Sequence, residues 1–255
     1  MHEMPAAGLC FPRGHRSDAQ GAVMLTNALS PAQSMPARGF RAEEFEPHGL
    51  DEHWSGAPVR RLEAKEHIFT EGDQRTHIYR VEKGAISLYK IMPDGRRQIL
   101  GFAYPGDLIG LGACEEYKFN AQATKLTELK GLRWAAIQNS ARHDPELALK
   151  LYEAISLELA AAHDLLLSTG QRSALERVAA FLLAMSRRGG GRDRVVVNLP
   201  MTRADIGDFL GLTIETVSRT FTKLRQLGII GLAQSASVHV LDIGALQELA
   251  EGGRA

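Results

Sequence analysis

The chain has 255 residues, 44% of them hydrophobic and 24% charged, with 30 Lys/Arg against 30 Asp/Glu and no formal net charge. This composition is ordinary for a globular protein and excludes collagen-like, low-complexity and supercharged classes. The length suggests two domains, and the absence of any run of about 18 consecutive apolar residues excludes a membrane-spanning helix. Two cysteines, Cys10 and Cys114, lie far apart and cannot build a disulfide scaffold or a four-cysteine metal cluster within one chain. With no basic stretch followed by an apolar core at the N-terminus, a cytoplasmic protein is expected. The neutral total hides an asymmetry. Residues 171–255 carry 11 basic and 8 acidic side chains, leaving 19 and 22 in residues 1–170. A mildly basic C-terminal part permits contact with a polyanion.

Residues 1–48 are rich in Ala, Pro, Gly, Ser and Arg and show no sustained period. Pro5, Pro12, Pro31, Pro36 and Pro47 break any long helix. This stretch reads as an N-terminal tail with at most a short helix near 22–29. From Val59 to Ile137 short apolar runs alternate with turns. Gly72, Gly84, Gly95 and Gly106 recur at intervals of 12, 11 and 11 residues. Strands with turns at this spacing predict a sandwich or barrel, and two antiparallel layers of the jelly-roll kind fit best. The clearest strands are 78–81, 85–89 and 98–102, with Asp94-Gly95 suited to a tight hairpin.

A long helix is predicted over 145–168. Tyr152, Ile155, Leu159, Ala162, Leu166 and Thr169 follow the 3-4 spacing of two helices packed side by side. Leu147, Leu151, Ala154 and Leu165 form a second apolar face. One reading is an amphipathic helix lying on its own domain. A helix apolar on two faces favours two neighbours, its own β-domain and a second copy of the chain. A further helix is predicted over 174–188, ended by Gly189-Gly190-Gly191, and a strand over 195–199.

Residues 201–228 carry the chemistry. Thr202 can cap one helix, with Asp205 near its positive end, and Thr213 can cap a second after a turn at Gly211. Two short helices joined by a glycine-containing turn form a helix-turn-helix unit. Gly207 is small where the helices should cross, and Ala204, Ile206, Leu210, Leu212 and Val217 can fill the seam. At about 100° per residue, Val217, Phe221 and Leu224 share one face of the second helix, with Leu227 near it. Glu215, Arg219, Thr222 and Gln226 share the other, with Ser218 and Lys223 at its margins. A helix read in the major groove needs a buried face that fixes its angle and an exposed face of donors and acceptors. Arg can bond guanine O6 and N7 together, and Glu can accept from cytosine N4. Glu215 and Arg219, four residues apart, can also pair with each other on a merely solvated face. Glu215, Ser218 and Arg219 are therefore the candidate base-reading residues. Thr202, Arg203, Thr213, Thr216, Thr222 and Lys223 are weaker candidates for the phosphate backbone. Residues 229–241 read as a hairpin, and a helix-turn-helix followed by a hairpin is a winged helix.

The stretch Thr202 to Arg219, with its Glu215-Thr216-Val217-Ser218-Arg219 core, resembles the CRP/FNR family of bacterial transcription regulators, close to the FNR and FixK branch. The resemblance extends over about residues 50–250 in domain order. It implies an α+β fold with an antiparallel β-roll like that of cyclic-nucleotide-binding domains, a long dimerisation helix and a C-terminal winged helix-turn-helix. The divisions expected are a tail (1–48), a β-roll (49–143), a dimer helix (144–170) and a DNA-binding domain (171–255). It further implies half-site recognition by Glu215, Ser218 and Arg219. The implied partners are a second copy, double-stranded DNA with a TTGAT-N4-ATCAA-like palindrome, and RNA polymerase. The dimer face would comprise Tyr152, Ile155, Leu159, Ala162 and Leu166.

The chain departs from the ligand-binding branches. Where the cyclic-nucleotide branch has Gly-Glu-Leu and an Arg-Ser or Arg-Thr pair, this sequence has Gly110-Leu111-Gly112 and Asn120-Ala121. Only Lys118 or Lys125 could stand in for the arginine, and a buried phosphate without a charged partner is poorly held. A single Cys10 cannot supply the N-terminal cysteines of the iron–sulfur oxygen sensors. His53, His67, His77, His143 and His163 are scattered, which disfavours haem and the clustered metal ligands of cupin-like enzymes. No cofactor, no metal and no enzymatic activity is expected. What remains resembles the FixK-like branch, which implies work in oxygen-limited or nitrogen-fixation metabolism without a known small ligand. The alternative is a regulator of the same family gated by a cyclic nucleotide, haem or a redox change. Cys114 is either a redox handle or a small buried hydrophobe.

Overall fold

The computed structural model describes residues 51–112, 114–188, 196–232 and 237–253. The expected tail at 1–48, with its helix near 22–29 and Cys10, lies outside them, as do Gly189-Gly190-Gly191, Val195 and the hairpin tip at 233–236. A short helix α1 (Asp51–Trp54) leads into strands β1 (Val59–Leu62), β2 (His67–Phe69), β3 (His77–Lys83), β4 (Ile86–Ile91), β5 (Arg97–Ala103), β6 (Leu108–Ile109), β7 (Asn120–Ala123) and β8 (Thr127–Arg133). They form two antiparallel four-stranded sheets, ordered β1-β8-β3-β6 and β2-β7-β4-β5. β4 and β5 are joined by a turn in which Gly95 takes a φ of 82° and donates to Met92 O at 2.8 Å. That is the hairpin predicted at Asp94-Gly95.

Strand periodicity decides what fills the space between the sheets. On β3, Val81 and Tyr79 face the interior, where they meet Leu62, Ile86, Ala121 and Leu129. Its alternate residue Ile78 faces the helices instead. Aromatic rings occupy much of the interior. Phe69 stacks on Tyr117 with centroids 3.6 Å apart, and Phe119 and Tyr79 lie at 5.9 and 6.2 Å from Phe69. Burial pushes the Tyr117 hydroxyl up to about 12, so it remains a neutral donor, to His77 O at 2.7 Å.

The β-region was expected to run to Ile137, but it ends at Arg133. Helix α2 (Trp134–His143) follows directly. It carries no side-chain cap and no acidic residue in its first turn, the two features that announce a helix in a sequence. Helix α3 (Pro145–Gln171) is 27 residues long and is capped by Asp144, whose Oδ1 accepts from Glu146 N and Leu147 N at 3.0 and 3.1 Å. Leu147 joins Trp54, Ile78 and Ile137 in a cluster that fastens α3 and α2 to the β1-β8-β3-β6 sheet. The other apolar face of α3 meets solvent in the single chain. Tyr152, Ile155, Leu159 and Leu166 are 67, 47, 56 and 70% exposed.

Two residues, Arg172 and Ser173, separate α3 from helix α4 (Ala174–Arg187), which Ser173 and Glu176 start with a reciprocal capping box. Then come β9 (Val196–Asn198), α5 (Arg203–Leu210), α6 (Ile214–Gln226), β10 (Ile230–Leu232), β11 (Ser237–Val240) and α7 (Ile243–Ala250). The strands form one antiparallel sheet ordered β10-β11-β9. Val178, Leu182, Ile206, Phe221, Leu224 and Leu246 are central to the core beneath it. Phe102 of β5 reaches the edge of that core, its ring 5.5 Å from Phe209 of α5.

Candidate nucleic-acid interface

The helix-turn-helix is built by local chemistry first. The Thr202 hydroxyl accepts from Asp205 N at 3.1 Å, and Asp205 Oδ2 accepts from Thr202 N at 2.8 Å. This reciprocal box satisfies backbone donors that the first turn of α5 leaves unpaired. Burial alone would raise the Asp205 pKa. The hydrogen bonds from Thr202 and the Arg97 guanidinium outweigh it and hold the carboxyl below the usual carboxylate range. The helix stops at Gly211, whose φ of 66° is left-handed and suits a residue without Cβ. The turn folds back tightly, with Leu212 N donating to Gly207 O at 3.0 Å. A Cβ on Gly207 would stand 2.6 Å from Leu212 O, so only glycine fits this crossing without a shift. Thr213 then caps α6 by accepting from Thr216 N at 3.2 Å.

Helix α6 separates into two faces. Val217, Phe221 and Leu224 are buried with Ile206 and Leu210 of α5. Thr220 is also buried and gives its hydroxyl proton to Thr216 O at 2.8 Å. Leu227, expected near the buried face, lies past the last turn and is exposed, and Ala204 of α5 faces outward. Glu215, Ser218, Arg219, Thr222 and Lys223 are all exposed. They form one surface beginning at the helix N-terminus.

The polar groups on that surface are in states suited to base edges. Hydrogen bonds from its own backbone amide and the Thr213 hydroxyl, with the Arg219 charge nearby, hold the Glu215 carboxyl below the usual carboxylate range. It is therefore an ionised acceptor at neutral pH. The ion pair foreseen between Glu215 and Arg219 is not closed. Arg219 Nη2 instead donates to Thr216 Oγ1 at 3.4 Å. Most of the guanidinium's donors thus point to solvent. The Thr222 hydroxyl donates back to Ser218 O at 3.0 Å, leaving its lone pairs outward.

Arg203 stands apart from the other candidates. Its guanidinium lies over the Phe221 ring, 3.3 Å from the centroid, and Nη1 is buried without a hydrogen-bond partner. Desolvation lowers its pKa to about 10, so it stays charged at neutral pH but against the core. Cys114 is a half-buried free thiol in the loop after β6, and its carbonyl accepts from Arg75 Nε at 2.7 Å. Among the described residues no group of three or more His, Cys, Asp or Glu is placed to hold a metal ion. No helix among them is long and apolar enough to cross a membrane.

One set of contacts has no counterpart in the sequence reading. Arg97 of β5 donates to both Asp205 and Asp208 of α5. The partners are 108 and 111 residues apart, and no local pattern announces such a pair.

Two family models match the chain. A cyclic nucleotide-binding domain covers residues 59–144 and a Crp-like helix-turn-helix domain covers residues 176–249. The chain is 38% identical over 250 residues to the nitrogen fixation regulation protein FixK of Bradyrhizobium diazoefficiens, a match spanning 96% of this chain and 98% of the relative. It is 41% identical over 212 residues to the transcriptional activatory protein AadR of Rhodopseudomonas palustris, spanning 78% of this chain and 81% of that one. Among solved structures, FixK2 of Bradyrhizobium japonicum superposes with a TM-score of 0.72 at 36% identity, covering 78% of this chain and 98% of its own.

Proposed function

This chain belongs to the CRP/FNR family of DNA-binding transcription regulators, and from that premise we propose how it reads DNA. Two copies associate through the exposed apolar face of α3, with Tyr152, Ile155, Leu159, Ala162 and Leu166 at the seam. Each copy places α6 in the major groove of one half of an inverted repeat of the TTGAT-N4-ATCAA kind. Glu215, Ser218 and Arg219 read base edges. Thr202, Thr213, Thr216, Thr222 and Lys223 contact phosphates and fix the register, with Arg203 in a lesser part because its charge lies over Phe221. The observation that carries this reading is the division of α6. One face is buried on α5, and the other presents an ionised Glu215 and an Arg219 guanidinium not closed into an ion pair with it.

The molecule is a regulator rather than an enzyme, and an activator that also contacts RNA polymerase. The names of its FixK relatives, nitrogen fixation regulation proteins, support targets in nitrogen fixation, and the resemblance to that branch extends them to oxygen-limited metabolism. The interior of the β-roll supports control without a small ligand, because the Phe69–Tyr117 stack fills space between the sheets. The match to a cyclic nucleotide-binding domain is the one observation favouring a ligand-gated reading. Calorimetry with cyclic AMP and cyclic GMP separates the two, and a saturable heat establishes the gated one.

Footprinting of purified protein on genomic fragments tests the main reading. A protected inverted repeat is expected. Arg219→Ala should then cost about 1–3 kcal/mol on that site and leave random DNA nearly unaffected. Equal loss on both would remove Arg219 from base reading.

A further inference from the structure

The C-terminal unit is joined to the rest of the chain by only two residues, Arg172 and Ser173, between α3 and α4. Ser173 is held from the α4 side by its capping box, and the Arg172 carbonyl accepts from Arg177 Nε at 2.9 Å, so the rotations left to this link are those at its α3 end. A second attachment restricts them, and it comes from β5. Arg97 Nε donates to Asp208 Oδ2 at 2.9 Å, and its Nη2 donates to Asp205 Oδ1. The two carboxylates are three residues apart and so share one face of α5. The neighbouring Gln98 Nε2 donates to Asp208 O at 2.7 Å, and Phe102 meets Phe209 edge-on at 5.5 Å. Arg188, just beyond α4, donates to Asp107 Oδ2 at 3.0 Å. The helix that carries the reading face is not covered by these contacts, because Glu215, Ser218 and Arg219 remain exposed while α5 is docked.

Orientation is therefore passed along a connected series of parts. α3 is fastened to the β-roll through Leu147. The β-roll holds α5 through Arg97, and α5 fixes α6 through the crossing at Gly207. We propose that Arg97 is a positioning residue for half-site spacing, gripping Asp205 and Asp208 so that α6 stands at a fixed place relative to the α3 seam. The inference rests on the dimeric DNA-reading function proposed above. One added base pair displaces a half-site by about 3.4 Å and turns it by about 35°. A docked domain cannot follow that change, whereas a domain held by two linker residues alone can.

The experiment uses the full chain and fluorescence anisotropy. The labelled duplexes carry the footprinted half-sites at the native spacer, at one base pair more and one fewer, and as a single half-site. The unaltered protein should bind the native spacer most tightly. Arg97→Ala should lose about tenfold on that duplex, the size of one or two charge-assisted hydrogen bonds, and stay within about twofold on the others. Asp208→Asn, which spares the Thr202–Asp205 cap, should flatten the spacer preference in the same direction. Arg97→Lys should restore part of it. An equal loss on all four duplexes, or an undiminished spacer preference in Arg97→Ala and Asp208→Asn, would overturn the proposal. If the unaltered chain binds the inverted repeat no better than the single half-site, the dimer reading itself fails, whatever Arg97 does.

Discussion

Gly207→Ala is a sharp test of the helix crossing, because two opposing terms can be set against each other. Replacing a helical glycine by alanine normally favours the helix by about 1 kcal/mol. Here the new Cβ would stand 2.6 Å from the Leu212 carbonyl oxygen. Ordinary contact begins near 3.4 Å, so the turn would have to retreat by roughly 0.8 Å. That turn is tied by the 3.0 Å bond from Leu212 N to Gly207 O, and the obstacle is backbone rather than a yielding side-chain tip. Overpacking costs about 1–3 kcal/mol. A rigid obstacle belongs at the upper end, so the net expectation is a loss of about 2 kcal/mol. Gly170→Ala is the matched control. It is also helical, but nothing lies within 4 Å of its added Cβ, so it should gain up to about 1 kcal/mol. Urea denaturation followed by circular dichroism measures both, and half-site affinity should fall with Gly207→Ala alone. If both substitutions shift the midpoint upward, the close approach of α5 to the turn is wrong.

Three further outcomes follow from the geometry. Asp205 has a folded pKa below its ordinary 3.8, so the stabilisation it gives is complete above about pH 4 and is lost as the pH falls through the folded value. Acid titration of the helical signal should show that loss, and Asp205→Asn should flatten it. Leu159→Asp places a charge in the apolar stripe of α3. Analytical ultracentrifugation should show monomer, and affinity for the inverted repeat should drop to that of one half-site. Phe69→Ala removes the ring stacked on Tyr117 in the β-roll and should cost about 3–5 kcal/mol of stability, read by thermal unfolding. A loss below 1 kcal/mol would mean that the stack does not hold the sheets together.

The parts of this molecule that were readable in the sequence are those made by neighbours along the chain. Thr202 and Thr213 announce α5 and α6 because capping is a matter of three residues. Gly72, Gly84, Gly95 and Gly106 mark the β-roll turns, and all four take positive φ. The division of α6 into Val217, Phe221 and Leu224 on one side and Glu215 and Arg219 on the other is a consequence of helical period. What could not be read depends on distance. α2 begins without a cap, so Trp134–His143 passed for the end of the β-region. The Glu215–Arg219 pair has the right spacing, but Thr216 and Thr213 offer each partner a nearer hydrogen bond. Arg97 lies one residue before the strand read at 98–102, and its partners are in another domain.

Asp205 belongs to two structures at once. One carboxylate oxygen, Oδ2, starts α5 by accepting from the Thr202 amide and hydroxyl, while the other, Oδ1, receives the Arg97 guanidinium. The first turn of the helix-turn-helix and the grip of the β-roll therefore share a single group. Effects of changing Thr202 and Arg97 should not add, because each alters the charge and orientation of the carboxylate on which the other relies. Undocking and fraying of α5 become coupled events. A disturbance in the β-roll that moves β5 reaches the DNA-reading unit as a loosened helix start, not only as a change of position.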